Sequence, residues 1–207
     1  MNHFTLRDFA ITVGSLVIIT VAIAVTQHRT LPFTLLAVSQ APPVSVPSTH
    51  VTTTLSDVHA PDGTRKLTMK RVTLTATESA YVVTTSDISG ANRTVLYQTV
   101  LPVSDDLILP PNSWSPDNKF VFVKITSPQG LSVQVFQSNG EAFGDGQPAV
   151  DVSQIFHEKL PDVALRDVTG WDDPSLLHVM TYAADKSIGF SYWFDMWGRN
   201  FIELAHR

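Results

Sequence analysis

The sequence predicts an all-β domain of propeller-like blades, each a small antiparallel sheet, with about three recognisable repeats behind one transmembrane helix. Three observations carry that expectation. From Val51 onward, short apolar runs alternate with turn clusters, and only Val152 to Lys159 suggests a helical period. A turn built on Pro and Asp recurs, with Pro61 and Pro116 55 residues apart and Trp114 and Trp171 57 apart. Ahead of both lies a run without charge from Phe9 to Thr26. A two-sheet β-sandwich of about ten strands is the alternative that the same texture allows.

The 207 residues suffice for one sizeable domain with appendages. A net charge of −5 gives no reason to expect nucleic-acid binding, which wants a basic face. The absence of cysteine excludes disulfides and thiolate metal sites.

Taken in order, residues 1–8 are a short tail, and 9–30 are read as the transmembrane helix. At about 1.5 Å per residue the charge-free run comes close to the ~30 Å hydrocarbon core. Arg7-Asp8 and Gln27-His28-Arg29 bound it. A cleavable signal peptide would have a shorter apolar region and a prompt small-residue cut site, and Ala37-Val38-Ser39 lies far downstream. The short tail is expected on the inside and the bulk of the chain outside. Phe4-Thr5-Leu6-Arg7-Asp8 resembles the start of type IV pilins, which would imply a pilin-like structural subunit, but His3 stands where their processing site needs Gly. Residues 31–50 form a Pro-containing linker, ending in QAPPVSVPSTH, whose prolines favour extended chain.

Residues 51–207 are the β-repeat domain. Its first unit runs from the turn Ala60-Pro61-Asp62-Gly63 through Arg65–Leu74 and Ala80–Thr85 to a turn at 87–92, then Arg93–Thr99. The second has Ser115-Pro116-Asp117-Asn118, Lys119–Ile125, Leu131–Gln137 and a turn at 138–141. Lys119–Ile125 is apolar at nearly every position, so both of its faces should be covered. The third is degenerate, with Trp171-Asp172-Asp173-Pro174 as its turn, then Leu176–Tyr182, Ile188–Phe194, a turn at 196–199 and Asn200–Leu204. Val51–Leu55 and Asp106–Leu109 are spare strands that could complete the sheets.

The segments SWSPDNKFVFV (113–123), Pro61-Asp62-Gly63 and YVVTTSDISGAN (81–92) resemble the repeats of TolB-like β-propellers, over roughly residues 57–205. That resemblance implies a periplasmic or extracellular protein-binding scaffold. Related repeats also occur as gating domains fused to peptidases, so a hydrolase-accessory domain is a further alternative. Closed propellers need about four to eight blades, so three would have to be completed by other strands or by another copy.

No catalytic residue, metal site or cofactor is predicted. Gly189-Phe190-Ser191 lacks the closing Gly and strand–turn–helix setting of a nucleophile elbow. His157-Glu158 has no second His at zinc-helix spacing. The candidate binding residues are the basic set Arg65, Lys66, Lys70 and Arg71, and the aromatic set Tyr192, Trp193 and Trp197. On a strand, Arg65, Leu67, Met69 and Arg71 share one face and Lys66, Thr68 and Lys70 the other. A solvated outer strand is the plain reading of the basic set, and a contact with anionic lipid or an acidic partner the sharper one. Trp114 and Trp171 are expected to pack between sheets. The function expected is that of a membrane-anchored, extracytoplasmic, non-catalytic scaffold. It is held by residues 9–26, and its partner is another envelope protein or a second copy. Contact is expected through the loops 87–92, 138–141 and 196–199.

Overall fold

Among the described residues, alternating apolar and polar runs, cut by Pro, Asp, Asn and Gly, fold into twelve strands and one short helix. A computed structural model describes residues 52–205, so the tail, the apolar run and the linker lie outside the described residues. The first sheet holds β1 (Thr53–His59), β2 (Arg65–Thr73), β3 (Glu78–Asp87) and β4 (Thr94–Pro102). The middle sheet holds β5 (Asp106–Ile108), β6 (Phe120–Ser127), β7 (Gly130–Gln137) and β8 (Val150–Asp151). The last holds β9 (Ala164–Asp173), β10 (Leu176–Tyr182), β11 (Ile188–Asp195) and β12 (Asn200–Glu203). Each is an antiparallel meander whose strands lie side by side in chain order. The domain is therefore all-β with three sheets rather than the two of a sandwich. Three sheets do not make a closed propeller. Among the described residues no helix is long and apolar enough to cross a membrane.

The spare strands of the sequence become first strands, β1 and β5. β9 was not foreseen, because Trp171 reads as the start of a turn. Its Arg166, Asp167, Asp172 and Asp173 dilute the apolar pattern, and Gly170 with three register shifts against β10 breaks the alternation. The Pro turns all join first to second strand. Ala60–Gly63 and Ser115–Asn118 have matching bonds: Ala60 N–H to the Arg65 carbonyl and Ser115 N–H to that of Phe120, both 2.9 Å. Gly63 and Asn118 each donate back to the first turn residue, at 2.9 Å. Both take the left-handed conformation, at φ 70° and 61°, where only glycine and short polar residues are comfortable.

The core has two layers, one on each side of the middle sheet. Val121 and Val123 of β6 pack with Leu67, Tyr81 and Val83 of the first sheet. Their neighbours Phe120 and Phe122 pack with Val168, Leu177, Val179 and Phe194 of the last. Period-two alternation on one strand thus serves two interfaces, which is why β6 is apolar throughout. The sheets stack face to face in chain order.

The helix α1 (Val152–Lys159) follows the two-residue β8. Asp151 caps it by accepting the Gln154 N–H at 2.8 Å, and Val152 and Phe156 are buried against the middle and last sheets. Phe156 meets Phe201 of β12 edge-on at 5.3 Å.

Candidate protein-binding rim

The connections between third and fourth strands lie at one end of their sheets, and the side chains join them into one rim. In the first, Asp87 to Asn92, the Asn92 amide donates to the Asp87 carboxylate at 2.6 Å, and Gly90 (φ 87°) returns its N–H to the Asp87 carbonyl at 2.8 Å. That explains the Asp-x-x-Gly-x-Asn spacing: Asp and Asn close the loop and Gly allows the bend. The second connection begins at Ser138, on which the first sheet converges. Arg65 donates to the Ser138 hydroxyl and carbonyl at 2.9 and 2.8 Å, and the Thr85 hydroxyl reaches the same carbonyl at 2.7 Å. Gly140 passes so close to Thr94 that a Cβ there would collide with its methyl group. Farther on, Phe143 and Asp145 meet Arg199 of the third connection: the guanidinium lies 5.1 Å over the Phe143 ring and 3.4 Å from the Asp145 carboxylate.

Trp197 stands on this rim at 70% exposure, the most exposed large apolar side chain among the described residues. Its turn is fixed by the Asp195 carboxylate, which accepts the Trp197 and Gly198 N–H groups at 3.0 and 3.1 Å. The ring meets Phe120 of the core edge-on at 5.5 Å. An aromatic on a bonded turn, with little of its own surface covered, has the make-up of an interface anchor.

The other aromatic candidates lie elsewhere. Tyr192 is 6% exposed and points into the core, with burial first and the Glu203 carboxylate second raising its hydroxyl pKa. Trp193 faces the opposite side of the last sheet, where its indole donates to Asp172 at 2.7 Å. The basic set divides as the strand period requires. Arg65 serves the rim contact and lies 5.7 Å over the Trp114 ring. Arg71 crosses to the middle sheet, 3.3 Å from Asp106 and 5.4 Å over the Tyr81 ring. Lys66 pairs loosely with Asp57 at 3.8 Å, and Lys70 is exposed without an ion pair among the described residues. β2 is not the outer strand of the plain reading, although its Lys66 and Lys70 face is open as that reading expects. It is second of four, and its two arginines fasten sheets together.

Sequence reasoning placed Ser138 in a contact loop and Asp106 on a spare strand but missed their inter-sheet bonds, whose partners lie 73 and 35 residues away. Tyr81 also donates to Asp106 at 3.0 Å, and burial together with that carboxylate raises the tyrosine's pKa. A second inter-sheet ion pair, Lys124 with Asp167 at 2.5 Å, repeats the arrangement between the middle and last sheets.

A groove of about 450 Å³ beside α1 brings Asp151, Ser153 and His157 to one wall. Asp151 is engaged by the Gln154 N–H and by the Gln134 amide at 2.7 Å, and Ser153 accepts the Val133 N–H at 2.8 Å. Among the described residues no hydrogen bond joins His157 to either, and no three His, Asp or Glu side chains are grouped as metal ligands would be. The fold and rim together define a three-sheet, all-β repeat domain. No protein-family model matches the chain, and no curated protein matches it.

Proposed function

We propose that this protein is a membrane-anchored scaffold, tethered through residues 9–26, whose three sheets are TolB-like propeller blades displayed outside the cytoplasm to bind another envelope protein. One observation carries the binding role: three loops from three sheets meet in a single rim that holds Trp197 exposed on a turn bonded to Asp195. The blade reading is supported by the shared strand order and by the matching bonds of the two Pro-Asp turns. The tether reading is supported by the charge-free run at 9–26 and the Pro-containing segment after it. The scaffold has no chemistry of its own in this reading, since Asp151 and Ser153, the polar groups gathered beside α1, hold the helix and β7 in place.

The test is in-cell photocrosslinking from a light-activated amino acid at position 197, with Gln129, exposed in the β6–β7 turn at the opposite end of the middle sheet, as the control. A discrete adduct from 197 that Arg199→Ala weakens is expected. Equal or absent labelling from both positions would overturn the assignment of the rim.

A further inference from the structure

We propose that a second copy of this chain covers the open face of the last sheet with the open face of its own first sheet, so that two three-sheet arcs close one ring of six. The inference rests on the reading of the sheets as propeller blades, and not on the rim.

The chain shows twice how one sheet receives the next. An indole N–H from the following sheet donates to the carbonyl three residues before the turn proline: Trp114 to Val58, and Trp171 to Ser113, both at 3.0 Å. A cation on the second strand meets an aspartate on the next sheet's first strand: Arg71 with Asp106, and Lys124 with Asp167. Side chains six residues past the proline, Leu67 and Phe122, fill the interface.

The last sheet repeats the apolar part of that forward face, with nothing on it among the described residues, but its second strand has no lysine or arginine to repeat the ion pair. Met180 stands six residues past Pro174, flanked by His178 and by Trp193, and Ile202 beside them is 48% exposed. The carbonyl of Trp171 occupies the acceptor position.

The first sheet offers the matching rear face. His59, two residues before Pro61, holds the place of Trp114 and has a ring N–H to donate. Asp57 is the first-strand aspartate, and Leu55 beside it is 66% exposed. Lys66 and Lys70 stand where the middle sheet has Val121 and Ile125, five and nine residues past the proline.

Charge favours this pairing over a last sheet docking on its own copy. The forward face carries Asp172 and Asp195, β10, β11 and β12 contain no lysine or arginine, and the sheet's strand cation, Arg166 of β9, lies 5.6 Å over the Tyr182 ring at the far end. Six sheets fall within the range of about four to eight that closed rings use. Head-to-tail contacts close only if the rotation fits, and here a single two-fold axis satisfies both new interfaces at once.

The chain has no cysteine, so single thiols can be placed cleanly. Leu55→Cys and Ile202→Cys versions of the full chain in detergent are treated with a short thiol–thiol linker. A linked product is expected only when the two variants are mixed, together with a two-chain mass by light scattering. Asp172→Lys should weaken the dimer about tenfold, and Lys70→Glu in the same chain should restore it. Circular dichroism unchanged from the parent shows that the variants fold.

A single-chain mass, a link within the Ile202→Cys variant alone, open-ended oligomers, or no restoration by the charge swap would each overturn the ring. Trp197→Ala should leave the dimer intact. Failure of the ring with rim crosslinks preserved would therefore count against closure alone.

Discussion

Trp114 and Trp171, 57 residues apart, make the same bond, each indole N–H donating at 3.0 Å to a main-chain carbonyl of the preceding sheet. The carbonyls belong to Val58 and Ser113, so the second bond lands on the residue beside the donor of the first. Phenylalanine at either site keeps most of the packing and removes one inter-sheet bond, while the Ser113 carbonyl still accepts the Phe122 N–H at 3.0 Å. Each change should cost about 0.5–1.5 kcal/mol, measured by urea unfolding. The two losses should add, since the bonds lie in different interfaces.

Arg65 and Lys66 are adjacent in sequence and should behave very differently. Arg65→Met removes two charge-assisted bonds to Ser138 and should destabilise by about 1.5–3 kcal/mol. Lys should not rescue it, because one ammonium cannot reproduce the forked contact. Lys66→Met breaks only an exposed pair and should cost no more than about 1 kcal/mol. Parallel denaturant curves decide this.

Asp117 links stability to acid. Burial alone would raise its carboxyl, but the Ser115 hydroxyl and then the N–H and ammonium of Lys119 outweigh it and hold the pKa below the ordinary 3.8. A carboxyl depressed on folding stabilises above its unfolded pKa and loses that contribution as pH falls through the folded value. Asp62, at the same turn position, is lowered by the Thr64 N–H above all. Asp117→Asn should therefore flatten the loss of stability below about pH 4 while leaving the slope near neutrality unchanged. Unfolding curves at pH 7 and pH 3 test it.

Gly170 has φ 142°, and a Cβ there would collide with the Asn112 side chain. Gly170→Ala should cost at least about 1–3 kcal/mol from backbone strain alone, with the collision in addition. Asn112→Ala in the same chain should recover the collision but not the strain, so thermal unfolding should show a partial rescue.

Much of the layout was legible in local signals. The turns at Pro61 and Pro116, the hairpin at Asp87–Asn92, the double-faced β6 and the short helix at 152–159 each rest on neighbouring residues. β9 was hidden because its irregular pairing removes the period-two signature, and β8 is too short to carry one. The site was less legible for a related reason. Local spacing separated the two faces of β2, but that Arg65 ends on Ser138 and Arg71 on Asp106 is decided by how sheets stack. Tyr192, Trp193 and Trp197 looked like one cluster in sequence, and strand alternation sends them to the core, the open face and the rim.

Phe120 and Phe122 leave the ribosome some 45 residues before Val168, and more than 70 before Phe194, the last-sheet residues that cover them. During that interval a growing chain carries a finished sheet with an aromatic side still in water, the kind of surface that chaperones capture and that seeds aggregation. Any truncation between residues 138 and 163 would make the interval permanent. Stop codons or proteolytic cuts in that window should thus give insoluble or rapidly degraded fragments rather than smaller working proteins.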